Sequence, residues 1–216
     1  MKSELRIGVI GAGGRGRLAE YAHDPDAGVR VVAGADTDAA VFERFREKFG
    51  DDVLTTDDYR QVLARDDIEA VFVTTPDFLH EEHAVAALKA GKAVYLEKPM
   101  AHNVWEARSL TELAARKGLA TQLGMQRHVK DNMHRVTELI QAGAIGDVTE
   151  VHSWVGSSRG MVPRLSEPQT VPDTLDYDLW LGPVEYQPYD SKITPYGWRF
   201  WWDFGTGEAG NWGCHI

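Results

Sequence analysis

LRIGVIGAGGRG, residues 5–16, is the stretch that decides the fold of this chain. Its first six residues form an apolar run, which is typical of a buried β-strand. Gly11, Gly13 and Gly16 follow with the spacing G-x-G-x-x-G. Between a strand and a helix, these glycines allow a tight turn, a close backbone approach to a pyrophosphate, and close packing of the helix on the strand. The motif predicts a dinucleotide-binding βαβ unit.

Strands and helices alternate from this motif to about residue 123. Apolar runs predict strands over 5–10, 29–35, 69–74, 93–96 and 119–123. Helical spacing of apolar residues, with glycine stops after two of the segments, predicts helices over 17–23, 38–49, 58–64, 79–90 and 103–117. Nearly continuous apolar strands separated by helices indicate a parallel sheet covered on both faces. The expected fold class is therefore α/β, with a doubly wound parallel Rossmann sheet.

The pattern changes after residue 124. A helix is predicted over 129–142, and alternation of apolar and polar residues predicts a half-exposed strand over 147–155. Residues 156–213 are rich in proline, glycine and aromatics, and six of the seven tryptophans lie from Trp154 to Trp212. We therefore predict a Rossmann domain over 1–124 and the start of an incomplete α+β domain over 125–216.

Composition limits the classes of partner and location. The net charge is −10 at pH 7 and no block of Lys and Arg occurs, so nucleic acid is not an expected partner. No apolar run approaches the roughly 20 residues of a membrane span. The single cysteine, Cys214, excludes a disulfide within these residues, and the N-terminus lacks a signal-peptide pattern. These features predict a cytoplasmic protein.

A group of residues around the glycine turn is predicted to bind the cofactor. Asp36 lies twenty residues after Gly16, at the end of the second predicted strand. An acid there accepts hydrogen bonds from the adenosine ribose hydroxyls and repels a 2′-phosphate, and no arginine follows it. NAD is therefore favoured over NADP. The alternative is a turn that only caps a helix, with Asp36 an ordinary loop acid. The candidates are Gly11, Gly13, Gly14, Arg15, Gly16 and Asp36.

Glu97-Lys98-Pro99 directly follows the predicted strand 93–96. Ligands of open α/β sheets bind beyond the carboxyl ends of the strands, so Lys98 is placed to meet a substrate. A lysine begins as an acid or hydrogen-bond donor, and burial lowers its pKa towards that of a working base. The alternative is a surface lysine held in a salt bridge.

The glycine turn, Thr75-Pro76 with His80, and above all Glu97-Lys98-Pro99 resemble the Gfo/Idh/MocA family, the group of glucose–fructose oxidoreductase and inositol dehydrogenase. Residues 79–100 are the most specific stretch, and residues 198–216 are similar to one large bacterial branch. The resemblance covers nearly the whole chain. Family members are usually much longer, so it implies a chain truncated in its second domain.

The resemblance implies roles for further residues. Lys98 would hydrogen-bond the reacting hydroxyl, and His215 would pair with it in proton transfer as the second catalytic residue. The implied cofactor-binding residues outside the glycine turn are Thr75, Pro76, His80, Glu97 and Gln126. The candidate substrate-binding residues are Lys98, Asn211, His215 and Trp154.

One position departs from the family pattern. Members often carry Asp four residues before the histidine, where this chain has Asn211. Asparagine carries no charge and accepts no proton, which puts an Asp-assisted proton transfer in doubt, although it can orient a sugar hydroxyl.

Other polar and aromatic residues are given structural interpretations. His83 is expected to be a surface or capping residue, and His152 is a weaker substrate candidate beside Trp154. The aromatic residues of 198–212 are assigned mainly to the core, with one or two rings left for the substrate. Cys214 and His215 are adjacent in sequence, so a Cys–His nucleophile is not expected. No zinc pattern is present.

The combined interpretation is an NAD-dependent oxidoreductase that moves hydride between nicotinamide and a secondary hydroxyl of a sugar, inositol or related polyol. One alternative is a glycosidase that uses NAD for transient oxidation, and another is a non-catalytic dinucleotide-binding module. The expected partner is a small sugar or polyol. The resemblance also suggests a homo-oligomer formed through the second domain, which an incomplete second domain would weaken.

Overall fold

Six parallel strands form one sheet in the N-terminal part of the chain. The computed structural model describes residues 4–154 and 163–215. The strands are β1 (Leu5–Ile10), β2 (Val29–Ala35), β3 (Leu54–Thr56), β4 (Ala70–Val73), β5 (Ala93–Glu97) and β6 (Thr121–Gly124). Their order is β3-β2-β1-β4-β5-β6, and every neighbouring pair is parallel. This order confirms the predicted doubly wound Rossmann sheet. Its direction of winding reverses at β1, where such sheets bind ligands.

Helices cover the sheet and continue beyond it. The α-helices are α1 (Phe42–Phe49), α2 (Tyr59–Leu63), α3 (His80–Lys89), α4 (Val104–Lys117), α5 (Asp131–Gln141), α6 (Tyr177–Leu181) and α7 (Gly207–Gly213). Short 3₁₀ helices span Gly14–Tyr21, Ala39–Val41, Asp77–Leu79 and Gly197–Phe200. No helix in the described part of the chain is long and apolar enough to cross a bilayer.

The sheet is packed with apolar side chains on both faces. Val9, Val71 and Val73 from the two central strands are fully buried. One cluster, which includes Ala84 and Leu88 of α3, packs on one face, and a separate cluster with Phe45 of α1 packs on the other. Burial on both faces explains why these strands read as continuous apolar runs.

A third, aromatic cluster joins the second half of the chain to the sheet. Phe78, in the 3₁₀ helix after β4, makes edge-on contacts with the rings of Trp180, Trp198 and Phe204 at centroid distances of 5.6, 6.2 and 5.3 Å. Trp198 and Phe204 are buried, which agrees with their assignment to the core. This cluster holds residues 197–215 over the carboxyl end of the sheet.

The structure differs from the sequence predictions at three places. The first helix is a 3₁₀ helix over Gly14–Tyr21 instead of 17–23, because two glycines in its first turn weaken the α-helical preference. Strand β3 was not predicted, because three residues carry no readable period.

The predicted strand over 147–155 is wrong for residues 147–154, which form no strand, while residue 155 lies outside the described residues. Alternation shows only that a segment is able to pair, and the structure describes no strand that runs beside this one.

Candidate active site

The glycine turn between β1 and the first 3₁₀ helix is packed on its inner side and open on its outer side. Gly11 has φ +92°, and a Cβ there would lie 2.9 Å from the Thr74 carbonyl carbon. A Cβ on Gly16 would lie 2.2 Å from the carbonyl oxygen of Gly11, so only glycine lets the helix approach the strand this closely. At Gly14 a Cβ would meet nothing within 4 Å. The turn therefore leaves an open cradle at a helix start, which fits a pyrophosphate.

Asp36 follows β2 and lies against this turn. Its Oδ2 accepts a hydrogen bond of 2.8 Å from the Gly13 amide, and its Oδ1 accepts one of 3.0 Å from the Asp38 amide. Burial raises the pKa of Asp36, and the backbone hydrogen bonds oppose that shift. Each carboxylate oxygen has a further lone pair, so the group remains able to accept bonds from ribose hydroxyls.

Lys98 lies directly after β5 and meets α7 from the far end of the chain. Its Nζ donates to the Asn211 side-chain oxygen at 2.6 Å and to the Asn211 carbonyl oxygen at 3.1 Å. Burial lowers the pKa of Lys98, although the nearby acidic groups Cys214, Asp77 and Glu97 partly offset it. The departure from the family pattern at Asn211 is thus in direct contact with the candidate catalytic lysine.

His215 lies on the same wall of the site and is only 7% exposed. Its pKa is lowered by burial and then by the positive charges of Lys98 and Arg127. Among the described residues, nothing forms a hydrogen bond with its buried Nδ1 atom. The side chain is therefore a neutral base near pH 7 with one ring nitrogen unused by the protein.

Glu97 and Arg15 form the pair that links the glycine turn to the lysine loop. Arg15 Nη2 lies 3.1 Å from Glu97 Oε2, and the Glu97 side chain is almost fully buried. The Arg15 side chain is 38% exposed, so its remaining donors face the cleft and solvent.

His83 is a site residue that sequence reasoning missed. Its Nδ1 lies 3.1 Å from the Thr75 hydroxyl oxygen, and its ring contacts Tyr59 edge-on at 4.4 Å. Burial lowers the pKa of His83 to about 3, so the ring is neutral at ordinary pH. A signal was available, since His83 lies three residues after His80 and shares a face of α3 with it.

His80 supports the site from behind. Its Nδ1 lies 2.7 Å from the Pro99 carbonyl oxygen and its Nε2 lies 2.8 Å from the Thr75 carbonyl oxygen. The side chain is buried and does not line the cleft. His80 therefore joins the segments that follow β4 and β5, on the side away from the cleft in which a cofactor would bind.

One cleft of about 1790 Å³ runs along the carboxyl edge of the sheet. It exceeds the roughly 300–1000 Å³ of ordinary small-molecule sites, which suits a dinucleotide together with a second ligand. Among the predicted site residues, those lining it are Gly11, Gly13, Gly14, Arg15, Asp36, Thr75, Pro76, Glu97, Lys98, Gln126, Asn211 and His215.

Three predicted site residues do not line this cleft. They are Gly16, which is buried beneath the turn, His80, and Trp154, which is 79% exposed. His152, beside Trp154, is exposed and pairs with Glu150. Trp212 does line the cleft, with the Arg127 guanidinium 4.9 Å from its ring centroid. The described residues contain no group of three His, Cys, Asp or Glu able to hold a metal ion.

Comparison with known proteins places this arrangement in a family. A model described as an oxidoreductase family with an NAD-binding Rossmann fold matches residues 5–125, and the family's C-terminal alpha/beta domain matches residues 131–216. Inositol 2-dehydrogenase of Gluconacetobacter diazotrophicus is 31% identical over 189 residues, which cover 84% of this chain and 56% of that protein. The chain therefore spans little more than half the length of this relative.

Solved structures show the same relationship. A scyllo-inositol dehydrogenase from Lactobacillus casei superposes with a TM-score of 0.62 at 26% identity, covering 69% of this chain and 44% of that one. A 3-ketoreductase from Actinomadura kijaniata, in complex with TDP-benzene and NADP, superposes with a TM-score of 0.60 at 31% identity, covering 68% of this chain and 45% of that one. With both family models matching in order, the chain belongs to the Gfo/Idh/MocA oxidoreductase family.

Proposed function

We propose that this protein is an NAD-dependent oxidoreductase that moves hydride between nicotinamide and a secondary hydroxyl of a sugar, inositol or related polyol. The observation that carries the proposal is the meeting of Lys98, Asn211 and His215 in the cleft that the glycine turn and Asp36 also line. Relatives named as an inositol 2-dehydrogenase and a 3-ketoreductase support this substrate class.

NAD is the proposed cofactor, with NADP less favoured. The open cradle at Gly14 would take the pyrophosphate, and Asp36 would accept hydrogen bonds from the adenosine ribose. The loop that follows, Thr37-Asp38-Ala39, adds a carboxylate and no cation. A 2′-phosphate would meet two acidic groups there.

The substrate hydroxyl would be handled by Lys98 and His215. A lysine ammonium has three donors, and Asn211 accepts from it at two atoms, which leaves one donor for the hydroxyl oxygen of the substrate. His215, which is neutral and lines the cleft, would accept the hydroxyl proton as the alcohol is oxidised and return it in the reverse reaction. Bound NAD supplies the acceptor for the hydride that leaves the carbon.

Asn211 would act by positioning Lys98 rather than by exchanging protons. Its two acceptor atoms hold the ammonium at the end of β5, and its amide nitrogen remains available to a sugar hydroxyl. The family's usual Asp would add a negative charge beside the lysine, which Asn211 does not.

The experiment separates binding from chemistry. NADH and NADPH are titrated by energy transfer from tryptophan to the nicotinamide, and inositols and sugars are screened with NAD for NADH formation. Lys98→Ala is expected to keep NADH binding and to lose turnover by at least about a hundredfold, the usual scale for an acid–base group.

Three outcomes would oppose the proposal. Turnover unaltered in Lys98→Ala would remove the lysine from the chemistry. NADH binding with no turnover on any polyol would favour a non-catalytic dinucleotide-binding module. Cleavage of a glycoside without net NADH would instead indicate transient oxidation.

Three further features of the protein belong to the same proposal. The boundary near residue 124 is supported by the end of β6 at Gly124. A cytoplasmic location is supported by the single cysteine, which allows no disulfide within these residues. Self-association is measured by light scattering, with a homo-oligomer as the outcome that the family resemblance favours.

A further inference from the structure

We propose that residues 172–176, from the second half of the chain, clamp the loop after β2 and make the cofactor site discriminate against a 2′-phosphate. The inference rests on the proposed NAD site, and it assigns part of the cofactor selectivity to a segment 136–140 positions after Asp36 in the chain.

The clamp is a short antiparallel pairing of backbones. Asp38 pairs with Leu175. On one side the Ala39 amide donates to the Thr174 carbonyl oxygen at 2.9 Å, and on the other the Asp176 amide donates to the Thr37 carbonyl oxygen at 2.8 Å. The two hydrogen bonds hold the three residues that follow Asp36.

The same loop is tied from its inner side. Asp36 Oδ1 accepts from the Asp38 amide at 3.0 Å, and Asp38 Oδ1 accepts from the Ala40 amide at 3.0 Å. With amides engaged on both sides, the loop has little backbone freedom to rearrange around an additional phosphate. Rearranging the loop would break these hydrogen bonds, which costs free energy.

The chemistry of the clamp also disfavours a phosphate. Residues 172–176 read PDTLD, with two acidic residues and no cation. Pro172 and Leu175 line the cleft, so the segment presents apolar side chains to it. A phosphate monoester carries nearly two negative charges at pH 7 and needs cationic partners.

Cations are nevertheless present in the wall of the cleft, Arg60 of α2 among them. Arg44 of α1 lines it, and α1 follows the clamped loop through the 3₁₀ helix Ala39–Val41. Discrimination therefore depends on whether the loop and the start of α1 are able to move towards a 2′-phosphate. The backbone pairing with residues 172–176 opposes that movement.

Ala39→Pro tests the clamp with one change. Proline removes the amide that bonds to Thr174, and Ala39 is the first residue of a helix, where proline is tolerated. Asp38 has φ −108° and ψ 104°, which is the extended conformation that precedes proline. Ala39 is exposed, so core packing does not change. Ala39→Ser keeps the amide and is the matched control.

Dissociation constants for NADH and NADPH are measured by energy transfer from tryptophan on wild type, Ala39→Pro, Ala39→Ser and Leu175→Ala. The ratio of the NADPH constant to the NADH constant is expected to fall roughly fivefold in Ala39→Pro, the scale of one backbone hydrogen bond. It is expected to fall in Leu175→Ala as well, because this side chain packs the segment against the aromatic cluster that holds it in place. It is expected to stay at the wild-type value in Ala39→Ser. Thermal unfolding shows whether each variant is folded. If Ala39→Pro does not fold, the ratio measured for Leu175→Ala tests the clamp by itself.

The outcomes separate this inference from the proposed function. A ratio that is unchanged in Ala39→Pro and Leu175→Ala, with NADH still bound, overturns the clamp and leaves the NAD site in place. Equal falls in Ala39→Pro and Ala39→Ser also overturn it, because the serine variant retains the hydrogen bond. A wild-type protein that binds neither nucleotide overturns the proposed function and the clamp together.

Discussion

Lys98 Nζ donates a hydrogen bond of 2.6 Å to the side-chain oxygen of Asn211, although the two residues are 113 positions apart in the chain. The contact forms because the aromatic cluster around Phe78 and Phe204 holds the start of α7 against the carboxyl end of the sheet. A neutral acceptor therefore lies where many family members have a carboxylate. We expect the proton chemistry proposed for the site to depend on that difference.

Replacing Asn211 with Asp should move the basic limb of the pH profile upwards. A carboxylate at hydrogen-bonding distance from the ammonium raises the pKa of Lys98, so the lysine keeps its proton to higher pH, by about one unit or more. The measurement is kcat/KM for polyol oxidation between pH 5 and 11. Asn211→Leu removes the acceptor and should move the same limb downwards. If the basic limb lies at the same pH in Asn211→Asp and Asn211→Leu, the pKa of Lys98 does not determine that limb.

The acidic limb of the same profile should follow His215. Burial and the charge of Lys98 lower the pKa of this histidine, so the fall in wild-type activity should come below pH 6.5. Arg127 also lowers the pKa of His215, and Arg127→Gln should move the acidic limb upwards by a few tenths of a pH unit. Arg116→Gln, on the exposed face of α4, is the control and should leave the limb in place. An Arg127→Gln profile that matches wild type would remove His215 as the base.

His83 should make the fold sensitive to acid. In the unfolded chain it takes up a proton near pH 6.5, whereas in the fold its pKa is about 3. The unfolded state therefore binds more protons between these values, and stability falls as the pH drops through that window. The contribution of His83 to the loss by pH 4 is about 3 kcal/mol.

Urea unfolding of wild type and His83→Gln at several values between pH 7 and pH 4 measures this contribution. The glutamine variant should lose less of its free energy of unfolding over that range. His134→Gln, on the exposed surface of α5, should lose as much as wild type. Equal losses in wild type and His83→Gln would show that His83 titrates normally in the fold.

Two glycines of the same turn should respond differently to alanine. At Gly16 a Cβ would lie 2.2 Å from the Gly11 carbonyl oxygen, so the helix must move away from β1. Gly16→Ala is expected to cost about 2 kcal/mol of stability and to weaken NADH binding at least tenfold. At Gly14 a Cβ meets nothing within 4 Å. The free energy of unfolding of Gly14→Ala should therefore lie within about 0.5 kcal/mol of the wild-type value. Thermal unfolding of the two variants side by side is the measurement, and equal losses would contradict the packing of the turn.

Some features were predictable because they depend on short segments of sequence. The apolar runs at Leu5–Ile10 and Val29–Ala35, the glycines between them and Asp36 at the second strand's end are local signals, and the structure has them in register. Strand β3 and the predicted strand over 147–155 show the limit. Three residues carry no period, and alternation does not supply a partner strand.

The sequence by itself determined the alternation of strands and helices apart from β3, the conformation of the glycine turn, and the position of Lys98 at the end of a buried strand, since each follows from neighbours along the chain. Only the tertiary structure decided which groups meet at that end of the sheet. It placed Asn211 on Lys98, His83 on Thr75, and residues 172–176 on the loop after Asp36. It also moved His80 out of the cleft and into the support behind it. The contacts made by Asn211 and by residues 172–176 join segments that are far apart in the chain, and no local period or spacing encodes them.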